Sequence, residues 1–217
     1  MRTLTLADFG FLLLAARWTI VLSAAAFFGG GVLGLLIALA RVSQTRALRW
    51  LAIGYIRVFQ GTPLLLQLFL VFFGGDMLGV PLGPWISAVL GLSLNAAAFL
   101  GEIWRGSIQS VTIGQIEAAR ALGLHYLPLM LRVVLPQALR VAIAPTVGFM
   151  VNLVKSTSLA AIIGFVELTR AGQLLNNATF RPFLIFGTVA LIYFVLCWPL
   201  TVASRRMERR LATAYRR

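Results

Sequence analysis

Catalytic chemistry has few places to reside in this 217-residue chain. Its one His, His125, sits in a stretch interrupted by charges and prolines, and its one Cys, Cys197, lies in an apolar run with no partner for an internal disulfide. No G-x-S-x-G occurs, so a nucleophile and base at membrane depth are not provided. No G-x-x-x-x-G-K-[ST] occurs either, so the chain carries no phosphate-binding loop and is not itself a nucleotide-driven motor. What remains are polar side chains embedded in apolar runs: Arg57, Gln60, Gln67, Asn95, Glu102 and Lys155. Groups of this kind cost free energy against lipid, so they mark a pathway or an internal pairing.

The elements that position them follow from composition. Hydrophobic residues make up 60% of the chain and charged residues only 12%, with a mean hydropathy of +0.92. That excludes an ordinary soluble domain and makes the bilayer the solvent. A spanning helix needs roughly 20 apolar residues, and five stretches reach or approach this, near 18–40, 51–74, 84–104, 141–165 and 183–203. The first is too long for the apolar part of a cleaved signal and is expected to stay in the chain. The reading is an all-α membrane protein of about five transmembrane helices. Residues 1–17 form an N-terminal segment, 18–203 the transmembrane domain with a polar loop over 109–140, and 204–217 a basic tail.

The net charge of +13 is distributed unevenly. Arg41, Arg46 and Arg49, then Arg105, Arg120, Arg132 and Arg140, then the tail "SRRMERRLATAYRR" fall on one side of the spans, against Arg2, Arg17, Arg170 and Arg181 on the other. Basic residues in short loops resist translocation, which places the N-terminus outside and the tail in the cytoplasm. The basic tail then reads as a patch against anionic lipid, and no nucleic acid is expected as a partner.

The stretch "GQIEAARALGLHYLPLMLRVVLPQALR", residues 114–140, therefore lies on the inner face. Gln115 to Leu122 are good helix formers, with Glu117 placed in the first turn, where it serves either the helix dipole or a partner. Gly123 suits the left-handed conformation past a helix end. Pro128 suits the start of a second helix carrying Leu131, Val134, Leu135 and Leu139 at helical spacing. The expectation is a pair of short amphipathic helices at the surface, facing lipid or a partner protein.

These residues resemble a known family. Glu117-Ala118-Ala119, Gly123 and Leu135-Pro136 are similar to the EAA loop of ABC-transporter membrane permeases. "YIRVFQGTPLLLQLFLVFFG", "LNAAAFLGEIWRGSIQSVTIGQIEAARALGL", "LPQALRVAIAPTVG" and "LVKSTSLA" narrow the likeness to polar amino-acid importers of the histidine, glutamine and arginine type. It covers about residues 15–205. The chain departs from the family pattern at Phe99, where Tyr is usual, and at Ser156, where an acid usually follows the Lys.

The resemblance implies an ABC importer permease fold in which Gly114, Gln115, Glu117, Ala118, Ala119 and Gly123 dock a separate ATPase dimer. ATP and Mg would be bound by that partner, with no cofactor in this chain. It also implies a second permease subunit, identical or homologous, an extracytoplasmic solute-binding protein, a polar amino acid as substrate and the bacterial inner membrane as location. Gln67, Asn95, Phe99, Lys155, Thr157 and Ser158 are the candidate pathway residues. Lys155 lies about 20 Å along its helix from Val141, beyond comfortable reach of the surface, so a cavity or counter-charge is expected for it.

Structural roles are expected for Gly61 and Pro63, which interrupt the second span. Glu102 is read as an ion pair with Arg105 or, by the resemblance, as an anchor of the bundle. Pro136 belongs to the loop motif, and Gly30 and Gly34 have the small-xxx-small spacing of close helix packing. A secondary transporter or channel subunit and a membrane-assembly protein are the other classes the composition admits.

Overall fold

The computed structural model describes residues 5–215, with side chains described up to Arg209. Among these residues every regular element is helical. The first helix, α1 (Leu6–Val42), is 37 residues long, and at ~1.5 Å per residue it outreaches a ~30 Å hydrocarbon core. It starts well before the expected residue 18 because Thr5 and Asp8 cap it: the Asp8 carboxylate accepts the Thr5 N–H at 2.9 Å and its hydroxyl at 3.0 Å. The stretch expected as a separate N-terminal segment is thus helix from Leu6 onward, and Leu12, Ala15 and Ala16 are buried against two later helices.

The second expected span is broken. Helices α2 (Arg46–Gly61) and α3 (Leu64–Met77) meet at 104°. Next come α4 (Pro84–Gln109) and the short α5 (Ile113–Ala121). A continuous helical rod then runs Tyr126–Ala161, made of α6 (Tyr126–Leu129), a π-turn over Met130–Val134, α7 (Leu135–Ser156) and a 3-10 turn over Thr157–Ala161. Two more helices, α8 (Leu168–Thr179) and α9 (Pro182–Tyr215), complete the described chain. Among the described residues, four helices are long and apolar enough to cross a membrane, and five spans result if the bent pair counts as one. The basic tail is no separate segment, since α9 runs through residue 204, where buried Ser204 donates to the Ala144 carbonyl at 3.0 Å. Arg2, Arg216 and Arg217 lie outside the described residues.

Small residues bring α1 and α4 together. A Cβ on Gly30 would stand 2.5 Å from the Ala96 Cβ, and one on Gly34 would stand 3.1 Å from the Leu100 Cβ, so these backbones approach as the glycine spacing anticipates. Leu22, Ala26, Leu68, Leu92, Ala96 and Leu153 then form a core shared by α1, α3, α4 and α7. Glu102 reinforces the α1–α4 contact: its carboxylate pairs with Arg105 one turn on and with Arg41 at 3.7 Å at the end of α1. It is both the local pair and the cross-helix anchor.

Candidate functional site

Two regions gather the candidate residues, an elbow around α5 and a cavity beside the α2–α3 break. The elbow begins at Thr112, whose extended backbone precedes Ile113. Helix α5 ends in a Schellman motif: Gly123 N–H donates to the Arg120 carbonyl at 2.9 Å and Leu124 N–H to the Ala119 carbonyl at 3.1 Å. This requires Gly123 at φ +79°, the left-handed region that a side chain resists.

The motif turns the chain so that Leu124, Ile116 and Ala119 join Val111, Val134 and Ala138 in one apolar cluster. Ala119 is only 5% exposed there, so it braces α5 from within instead of offering a surface to another protein, which corrects its expected docking role. Gly114, Gln115, Glu117, Ala118 and Leu122 are exposed on the opposite side. Because α5 starts at Ile113, Glu117 falls in its second turn and no acid occupies the first. The helix-dipole explanation of Glu117 therefore lapses.

The expected second surface helix is instead the first part of the long rod. Pro136 explains the join, since it has no N–H and its ring would crowd the Arg132 carbonyl in a regular turn. The chain widens just before it, Leu135 N–H reaching back to the Met130 carbonyl. A force on α5 thus meets the end of a membrane-length helix directly. Between the elbow and the end of α1 lies a cleft of about 470 Å³ bordered by Arg41, Arg49 and Arg120.

At the break, Gly61 is the last residue of α2, with open space around its Cα, so the interruption belongs to Pro63. Pro63 cannot donate to the Phe59 carbonyl four residues back. Gln67 takes over that acceptor: its Nε2 lies 2.8 Å from the Phe59 carbonyl, 3.0 Å from the Thr62 carbonyl and 2.9 Å from the Thr62 hydroxyl. Asn95 Nδ2 in turn donates to Gln67 Oε1 at 3.0 Å. Gln67, at 6% exposure, is therefore a plug for the broken ladder and does not line the pathway.

Asn95 does face a cavity of about 290 Å³, together with Gln60, Thr62, Asn152 and Ser156. One wall is the stacked pair Phe99 and Phe149, with ring centroids 5.6 Å apart. The remaining pathway candidates do not converge on it. Lys155 and Ser158 border a separate groove of about 640 Å³ between α7 and α9, with Tyr193, Cys197 and Trp198. Lys155 is exposed on this groove, and no carboxylate is among the groove's lining side chains. Thr157 is fully buried and donates to the Val154 carbonyl at 2.7 Å, so it lines neither space.

Sequence reasoning missed Glu167. This fully buried carboxylate caps α8, accepting the Thr169 and Arg170 N–H groups at 2.9 Å each, and it accepts the Tyr193 hydroxyl at 2.7 Å from α9. Burial pushes its pKa up against the opposing effect of these hydrogen bonds. An acid directly before the helical run "LTRAGQLL" was the available N-cap signal.

The family of the chain follows from comparison with known proteins. Residues 30–213 match the family described as "Binding-protein-dependent transport system inner membrane component". The chain belongs to that family. It is 36% identical over 209 residues to the "Probable amino-acid ABC transporter permease protein YckA" of Bacillus subtilis, covering 96% of this chain and 92% of that one. Against the same organism's "L-cystine transport system permease protein TcyB" it is 41% identical, over 89% of this chain and 83% of the relative. The crystal structure of an amino acid ABC transporter with histidines superposes at TM-score 0.89 with 31% identity, covering 96% of this chain and all of that one. The MetNI methionine transporter, at 21% identity and TM-score 0.78, shares the fold. The chain is thus an ABC-type permease subunit, a multi-pass membrane transport component. Membership sets aside the secondary-transporter and assembly-protein readings.

Proposed function

We propose that this permease forms the membrane path of an ATP-driven importer for an amino acid. It would work with a separate ATPase dimer that binds ATP and Mg, a second identical or homologous permease, and an extracytoplasmic solute-binding protein. The relatives named for amino-acid and L-cystine transport support the substrate class. The arginine asymmetry supports an inner-membrane orientation with the N-terminus outside and the C-terminus in the cytoplasm.

One observation carries the coupling: α5 is a rigid helix with an apolar inner face braced on the start of α7 and an exposed outer face of Gly114, Gln115, Glu117 and Ala118. Closure of the ATPase would push α5, and the push would reach α7, whose Phe149 and Asn152 border the cavity beside Asn95. Asn95, Phe99 and that cavity are the proposed path. The Lys155 groove is a second space opened or closed as α7 moves against α9.

The test is uptake into proteoliposomes holding the chain with a partner ATPase of the same transporter family and a solute-binding protein. Ala118→Arg is expected to leave membrane insertion intact and abolish both ATPase recovery and ATP-dependent uptake. Full recovery and uptake in that variant would overturn the docking assignment.

A further inference from the structure

We infer that the substrate accepted by the cavity beside Asn95 is a zwitterionic amino acid with an uncharged side chain, and that cationic side chains are rejected. The inference rests on the proposed reading of this cavity as the substrate path. The cavity, about 290 Å³, has the volume of roughly ten waters at ~30 Å³ each. That is the scale of one amino acid.

Its surface is neutral throughout. The polar groups are the amides of Asn95, Asn152 and Gln60 and the hydroxyls of Thr62 and Ser156, set against the Phe99–Phe149 wall. Asn95 has its Nδ2 committed to Gln67, and Gln60 its Nε2 to the Ala98 carbonyl at 3.3 Å. Asn95, whose Nδ2 also reaches the Phe59 carbonyl at 3.4 Å, is left with its oxygen as the unspent group, while Gln60 keeps its oxygen and one N–H. Asn152 is exposed at the cavity, with an amide that both donates and accepts. Such a set matches a side chain with a neutral polar end, and the stacked rings match its methylenes.

A guanidinium or ammonium side chain would add a net charge that no carboxylate here offsets, whereas the α-ammonium and α-carboxylate of a zwitterion offset one another and find amide partners in Asn95, Gln60 and Asn152. The whole chain has six carboxylates, and each has another place. Asp8 caps α1, Glu102 pairs with Arg41 and Arg105, and Glu167 is buried under Tyr193. Asp76 is exposed at the end of α3, Glu117 is exposed on α5, and Glu208 is exposed beside Ser204 on α9. A second copy of this chain would bring the same six.

The permease–ATPase complex, reconstituted in nanodiscs without a binding protein, tests this through ATP hydrolysis stimulated by L-glutamine, L-leucine, L-arginine or L-lysine. Wild type is expected to respond to a neutral member at least roughly tenfold more strongly than to either cation. Ser156→Asp, with Asn152→Asp as the second variant, is expected to create a response to L-arginine. Asn152→Leu is expected to diminish the neutral response. A wild-type response to L-arginine equal to the neutral one, lost in Asn152→Leu, would overturn the substrate class and leave the cavity as the path. No response to any neutral member, or responses untouched by all three substitutions, would overturn the path reading and the substrate class with it.

Discussion

The side-chain amide of Gln67 donates to the main-chain carbonyl of Phe59 at 2.8 Å, taking the place of the N–H that Pro63 lacks. A broken helix inside a membrane protein is thereby stabilised by one residue of the next helix, and Asn95 fixes that residue from α4. Replacing Gln67 with Leu would leave the Phe59 carbonyl only the longer bond from Asn95 Nδ2 at 3.4 Å and take one donor from Thr62. The expected loss is about 1–3 kcal/mol, read as a lowered Tm of the purified chain. A Tm unchanged in that variant would show that water or another group satisfies the break.

Glycine substitutions should separate packing from bending. Gly30→Ala puts a methyl 2.5 Å from Ala96 and is expected to cost about 1–3 kcal/mol through overpacking. Gly61→Ala meets open space in a helical conformation and is expected to be neutral or stabilising by about 0.5–1 kcal/mol. Thermal denaturation of the two variants side by side checks the contrast, and equal losses would contradict it.

At Gly123 the requirement is conformational, because a methyl added there would meet nothing within 4 Å, yet φ is +79°. Gly123→Val is expected to strain the turn by about 1–2 kcal/mol and to lower ATPase recovery, while Gly123→Asn, tolerant of left-handed backbone, retains most of it. Pull-down yields that rank Val with Asn would remove the turn from the coupling account.

Glu167 offers a test through pH. Its folded-state pKa is raised by burial, so the folded chain holds this proton more tightly than the unfolded chain. The associated stability is fully present below the unfolded value of about 4.3 and is lost as pH rises through the folded value. Glu167→Gln keeps the acceptor oxygen of the cap and is expected to flatten that part of the pH profile. Glu167→Ala removes the cap and the Tyr193 partner, for a loss of about 1–3 kcal/mol. Melting curves recorded as the pH is raised from acid distinguish the two.

Much of this architecture is legible from residue types. Gly123 is readable because one backbone region is nearly reserved for glycine, and Gly30 with Gly34 because small residues at that spacing serve close helix contact. The role of Gln67 is hidden: a polar residue in an apolar run reads as pathway until the orphaned carbonyl eight residues back is located in space. Ala118 and Ala119 are adjacent and alike in sequence, and only the helix phase set by Ile113 turns one outward and the other into the cluster with Val111 and Val134. The continuity of the second surface helix with the span is hidden, because a π-turn that lets a helix absorb Pro136 leaves no compositional trace. The early start of α1 is masked by Asp8 and Arg17 within its first turns, although Asp8 is itself the cap.

The central claim is that the outward face of α5 receives force from another polypeptide. Photo-crosslinking from single positions along α5, in a complex with a partner ATPase, tests it most directly. Probes at Gly114, Gln115 and Ala118 are expected to capture the ATPase, while probes at Ile116 and Ala119 yield only products within the chain. Capture of lipid alone from the outward positions, or equal ATPase capture from both faces, would contradict the account.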